Sequence, residues 1–205
     1  MLIARRPAVL AVLILFGGLP GVLHAHVTPD VAADSVAVRR GTAVAKTWDG
    51  GAATANWGDG ANWSPDGVPT SADDVTLGGA NTININVAAT TRDLLLNNAG
   101  LTLTVNAGFS LAVSGSLNLT AGIFNTAAAF PTVTGTVNVA GGTVGFTGAG
   151  AQTIPAYSYN SLTLANAGVK TFSAGTTGVA ATLSITGTAT ANATTNATTI
   201  SYNGS

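Results

Sequence analysis

The chain has 205 residues, of which 7 are Lys or Arg and 8 are acidic, so 7% carry a charge and the formal net charge is −1. Soluble domains average roughly a quarter charged residues. The scarcity here excludes a helical bundle with Glu/Lys/Arg surfaces and a basic nucleic-acid binder. The absence of Cys excludes a disulfide frame or a thiolate site.

Residues 1–25 read as a secretory signal. Arg5 and Arg6 form the positive n-region, residues 8–19 are apolar, Pro20-Gly21 breaks the run, and Leu23-His24-Ala25 fits a cleavage site. The apolar run is shorter than the ~20 residues a membrane-spanning helix needs. A second small-residue site, Val31-Ala32-Ala33, would move the cut later. Removal of 1–25 takes His24 away and leaves His26 at the new terminus, so the mature fold holds essentially no histidine. Residues 26–46 have no clear period and read as a linker.

Residues 47–77 are different in kind. They contain Trp48, Trp57 and Trp63, together with Asp49, Asp59, Asp66, Asp73 and Asp74. After Asp93 the only charged residue is Lys170. That neutral stretch alternates apolar and polar residues, as in Leu101/Leu103/Val105, Leu111/Val113, Leu117/Leu119, Val137/Val139, Val144/Phe146, Leu162/Leu164 and Leu183/Ile185. A period of two predicts strands, and the intervening Asn and Gly residues predict tight corners.

The phrases also rhyme. Residues 112–119 match 132–139 at an offset of twenty, and Ser184-Ile185-Thr186-Gly187-Thr188 repeats the phrase. Residues 94–101 match 162–169 at a longer offset, which predicts a module of about 70 residues. Short strands, regular corners and a rung of about twenty residues predict an all-β parallel β-solenoid (β-helix) over residues 78–205. The Trp/Asp-rich segment 47–77 then serves as its N-terminal cap. An outer-membrane barrel would need longer strands and paired aromatic girdles. A β-sandwich fits the strand count but requires no repeat. Ile200-Ser201-Tyr202 matches Val144-Gly145-Phe146, from which the chain is expected to be a piece, truncated at its C-terminus, of a longer repeat protein.

Thr47-Trp48-Asp49-Gly50-Gly51, Asn56-Trp57, Asn62-Trp63-Ser64, Gly67-Val68-Pro69 and Asp73-Asp74-Val75-Thr76, with Gly150-Ala151-Gln152-Thr153-Ile154 and Leu162-Thr163-Leu164-Ala165-Asn166-Ala167-Gly168, carry a likeness. Over residues 47–205 the chain resembles bacterial secreted β-strand-repeat proteins of the adhesin-like, autotransporter-passenger-like kind. The resemblance implies a long parallel β-solenoid displayed on the outer-membrane surface or released outside the cell. It implies contact with a host or neighbouring-cell surface, or with an extracellular glycan, and any membrane attachment through an anchor outside this sequence. It implies no catalytic site and no nucleic-acid partner.

Candidate chemistry lies in residues 47–77. Trp48, Trp57 and Trp63 suit a sugar-stacking platform, which would make the segment a carbohydrate-binding module; they equally suit a plug for the first coil. Asp49, Asp59, Asp66, Asp73 and Asp74 are oxygen ligands of the type Ca²⁺ takes. Their spacing matches no calcium loop, and Asp49-Gly50, Asp59-Gly60 and Asp66-Gly67 read as turns. No other cofactor is implied. The segment after Asp93 lacks the paired carboxylates of glycoside hydrolysis, and a Ser-His-Asp triad lacks its histidine, so no enzyme is expected. The Thr rows Thr102/Thr104, Thr132/Thr134/Thr136 and Thr186/Thr188/Thr190 suit a water-ordering face, but Thr is also an ordinary outward strand residue.

Overall fold

The structure is a computed structural model and describes residues 43–204. The signal-peptide reading of residues 1–25 and nearly all of the expected linker lie outside the described residues.

Strand β1 (Ala45–Trp48) is followed by a 3-10 turn, Gly60–Asn62, and by β2 (Trp63–Ser64), β3 (Asp74–Leu77), β4 (Thr82–Ile85) and β5 (Ala88–Thr91). The chain continues through β6 (Leu94–Val105), β7 (Ser110–Val113), β8 (Leu117–Thr126), β9 (Thr132–Val133), β10 (Val137–Phe146) and β11 (Gln152–Ile154). It ends with β12 (Ser158–Leu164), β13 (Val169–Phe172), β14 (Gly175–Ile185), β15 (Thr190–Asn192) and β16 (Thr198–Tyr202). Apart from the antiparallel β1–β2 contact, these strands pair in parallel.

The result is a parallel β-solenoid of about six coils. Each coil has three sides. The long strands bend across two of them: β6 pairs with β3 through Leu94–Leu96 and with β4 through residues 102–105. The third side carries β5-β7-β9 and, separately, β11-β13-β15. Coils begin earlier than residue 78, because β1 and β3 already lie in register as rungs, Lys46 opposite Val75 and Val75 opposite Leu94.

The alternation seen in the sequence becomes a division between inside and outside. One inward row on the second side runs Ile83, Leu103, Phe124, Val144, Leu162, Leu183. The outward row beside it runs Thr82, Thr102, Ile123, Thr143, Ser161, Thr182. Neighbouring parallel strands lie about 4.8 Å apart, so a charge in such a row would meet its like on the next coil. Neutral hydroxyls and amides stack without that repulsion.

The twenty-residue rhyme is the coil itself. Ala112 stacks on Thr132, Val113 on Val133, Leu117 on Val137 and Asn118 on Asn138. The longer rhyme is not a structural module. Leu94 lies on the first side, beneath Leu117, whereas Leu162 lies on the second side, above Val144. The third copy is displaced in the same way, with Gly115 and Gly187 at different corners. What recurs is a strand-plus-turn phrase that serves any corner, because every corner asks for the same small residues. Gly135 shows why: its N–H donates to Gly115 O at 2.9 Å, and a Cβ there would lie 2.5 Å from that oxygen.

Most inward residues are sealed where a further coil follows, although Val133 and Val137 stay partly open. Leu101, Leu103, Val105, Leu162 and Leu164 are fully buried, whereas Ile185, in the last described coil, is 49% exposed. Leu103→Ala should therefore lower stability by about 2–5 kcal/mol. Ile185→Ala should cost less than about 1 kcal/mol. Chemical denaturation of the two variants beside the parent chain checks the contrast.

Candidate functional site

The three tryptophans come together at the N-terminal end of the stack. The β1–β2 pairing sets Trp48 opposite Trp63. Their ring centroids are 5.1 Å apart at 86°, and Trp57 lies 4.6 Å from Trp63 at 68°. Trp63 Nε1 donates to Trp57 O at 2.9 Å. Trp57 and Trp63 are fully buried and belong to the same core as Ile83 and Leu103, while Trp48 is half-buried. The two buried indoles have no free face for a sugar ring. Trp57 Nε1 is buried without a hydrogen-bond partner.

The main chain around them closes the first coil. Asn56 bridges to Asn84 as a short extra rung, with Trp57 N donating to Asn84 O and Asn84 N to Ala55 O. Buried Asn62 holds the preceding loop. It accepts from Ala52 N through Oδ1 and donates through Nδ2 to Thr54 O, Thr54 Oγ1 and Asn56 O. Lys46, nearly buried in β1, donates through Nζ to Pro65 O, Asp66 O and Gly67 O, which ties down the loop after β2.

The acidic residues are dispersed. Among the described residues, no three His, Cys, Asp or Glu side chains cluster as a metal would require. Asp49 accepts from Gly51 N, Asp59 from Thr54 Oγ1 and Asn56 Nδ2, and Asp73 from Thr70 N and Oγ1. These are local turn contacts. Asp66 lends only its carbonyl, to Lys46. Asp74 receives the Arg92 guanidinium on two atoms, and its carboxylate raises the Arg92 pKa further. Both side chains are more than a third exposed, so the pair contributes little to stability. Asp93 Oδ1 accepts from Ser116 N on the next coil.

A second feature lies where the third side breaks. Strands β9 and β11 are on consecutive coils yet do not pair. Sequence explains the gap. Thr126 turns inward, and its single hydroxyl proton is shared between Ala129 O and Ala128 O, where the chain leaves the ladder. Pro131 has no N–H to offer a following strand, and β9 keeps two residues where β7 has four. A groove of about 690 Å³ opens between the two strands. Phe130 and Tyr157 are among its lining residues, with ring centroids 5.7 Å apart. Phe130 is anchored from beneath by Phe124 and Phe146, at 6.0 and 6.2 Å. Tyr157 leans on Tyr159, whose hydroxyl donates to Pro155 O at 2.8 Å. Burial, and then the nearby Tyr157, push the Tyr159 phenol well above its ordinary pKa.

Behind the groove sits the one cation of the neutral segment. Lys170 is fully buried, and its Nζ donates to Gly148 O at 2.6 Å, Gly150 O at 3.0 Å and Gln152 Oε1 at 2.7 Å. Gln152 Nε2 donates in turn to Thr126 O and Ala128 O. Three acceptors match the three ammonium donors, and no carboxylate among the described residues pairs with them. Burial lowers the Lys170 pKa below its ordinary value. Sequence reasoning singled out neither the groove nor this cluster. The available signal was the run Ala127-Ala128-Ala129-Phe130-Pro131, which interrupts the alternation just before the second copy of the twenty-residue phrase.

No protein-family model, curated protein or solved structure matches this chain.

Trp63→Ala should destabilise the protein by about 3–5 kcal/mol, while Trp48→Ala costs less because that ring is half-exposed. Thermal melts of both variants check the order. For Lys170 the unfolded chain, titrating near 10.5, binds more protons than the folded chain between the lowered folded value and 10.5. Stability therefore rises with pH across that window. Urea unfolding at successive pH values should show a Lys170→Met variant that lacks this slope.

Proposed function

We propose that this chain is an exported bacterial structural or adhesive repeat protein: a non-catalytic shaft that presents neutral faces at the outer-membrane surface or outside the cell. The observation that carries the reading is the continuity of the stack. One core runs from the tryptophan cap to Tyr159, Leu164 and Phe172, and the outward rows that cover it hold mainly hydroxyls, amides and scattered apolar groups such as Ile123 rather than convergent acids or bases. Such a body supplies rigidity and contact area. The Arg5-Arg6 and apolar segment of residues 1–25 supports export, and the resemblance of residues 47–205 to adhesin-like passengers supports surface display.

The reading as a carbohydrate-binding module on Trp48, Trp57 and Trp63 is not adopted, because two of the three rings are committed to the core.

Fractionation of a Gram-negative host that expresses the chain with residues 1–25 in place tests the proposal. The processed protein is expected outside the cytoplasm and resistant to added protease under conditions that digest an unfolded control. Beads coated with it should be retained on a target-cell layer. Retention of an uncleaved chain in the cytoplasm would overturn the export part, and bead retention no greater than an albumin control would leave a spacer rather than an adhesin.

A further inference from the structure

A spacer needs no ligand, yet the groove at the break in the third side has the form of a binding site. Its volume, about 690 Å³, lies inside the range of roughly 300–1,000 Å³ typical of small-molecule sites. Its aromatic members are fixed before any ligand arrives, because Phe130 rests on Phe124 and Phe146 and Tyr157 rests on Phe130 and Tyr159. Both residues are partly buried against the core and partly open.

The polar groups converge as well. In a parallel ladder the main-chain groups of successive residues point to opposite neighbours. Thr134 N donates to Val113 O and Ser173 N to Ile154 O, so those positions face away from the break. By alternation the amide and carbonyl of Val133 and of Thr153 face the groove, each with no strand opposite. The hydroxyls of Thr132 and Thr153 stand beside them on exposed residues.

We propose that this groove binds a short neutral glycan. Sugar hydroxyls both donate and accept, as do the hydroxyls and main-chain groups that line the walls. The flat rings of Tyr157 and Phe130 match the apolar face of a pyranose. The lining holds no Asp, Glu, Lys or Arg side chain, which disfavours acidic sugars and charged peptides. An added peptide strand is the other candidate for an unpaired edge, but β9 offers two residues and β11 three, too little for a run of ladder bonds. Lys170 and Gln152 act as positioning residues: by holding Gly148, Gly150 and Ala128 in place they set the groove's floor.

The test is calorimetric titration of the full chain with neutral gluco- and chito-oligosaccharides, beside oligogalacturonate and an extended neutral peptide. One neutral glycan site per chain is expected. Tyr157→Ala should weaken it by about tenfold, and Thr153→Val, which leaves the buried core untouched, by severalfold. Phe109→Ala and Tyr202→Ala, both exposed elsewhere, should leave it unchanged. A thermal melt separates loss of binding from loss of fold, and Thr153→Val remains decisive should Tyr157→Ala unfold. Absence of binding by every neutral sugar at millimolar concentration would overturn the proposal. So would binding that both groove variants leave intact, or stronger binding of the galacturonate or the peptide. Export and attachment are read separately, so a groove that binds no sugar leaves the shaft reading standing.

Discussion

Parallel stacking of one coil on the next is the constraint from which the other features follow. Each rung uses its neighbour's main chain as hydrogen-bond partner, and each side chain then sits about 4.8 Å from the corresponding side chain above and below. Inward positions must be apolar in every coil, outward positions must tolerate their own kind, and corners must admit close backbone approach. The near absence of charge after Asp93 is the compositional face of that rule. The charges that remain are placed where stacking stops or is bridged: Arg92 reaches Asp74 across a coil, Lys46 ties the cap loop, and Lys170 fills a corner lined by carbonyls.

The two edges of the stack are treated differently. At the first coil, tryptophan bulk, an antiparallel two-residue strand and the Asn62 network cover the start of the main ladder, an edge that otherwise invites foreign strands. At the last described coil, Ile185, Ile200 and Tyr202 remain partly open. Stability in such an array is a sum of coil and interface terms between neighbours, so a core substitution counts most where a coil lies on both sides of it.

Much of the architecture was legible in the sequence. The pairs Leu101/Leu103 and Leu162/Leu164 announce strands and their buried face, and the twenty-residue match of 112–119 with 132–139 is the coil spacing itself. The match of 94–101 with 162–169 misled because a strand-turn phrase carries no information on which side it occupies. That depends on how many residues each corner consumes, and corners here vary. The cap was readable as a concentration of Trp and Asp, but which rings turn inward depends on the β1–β2 register. The groove was least legible. It arises from a missing pairing between β9 and β11, an interaction between coils, and only Pro131 hints at it locally. The burial of Lys170 is similar, since its partners are main-chain carbonyls contributed by Gly148 and Gly150, residues with no polar side chain to read.

The in-register stacking of Ala112 on Thr132 and Val113 on Val133 has a consequence for how such a chain changes over generations. Because coils share one stacking rule, a duplication or deletion of a whole rung away from the cap and the groove keeps inward rows inward and outward rows outward. Insertion or loss of a single residue within a strand would exchange inside for outside along the rest of that strand. Length is thus a quantised variable, free to vary in steps of about one coil and closed to smaller steps except at the corners. The reach of the molecule can evolve independently of its surface chemistry.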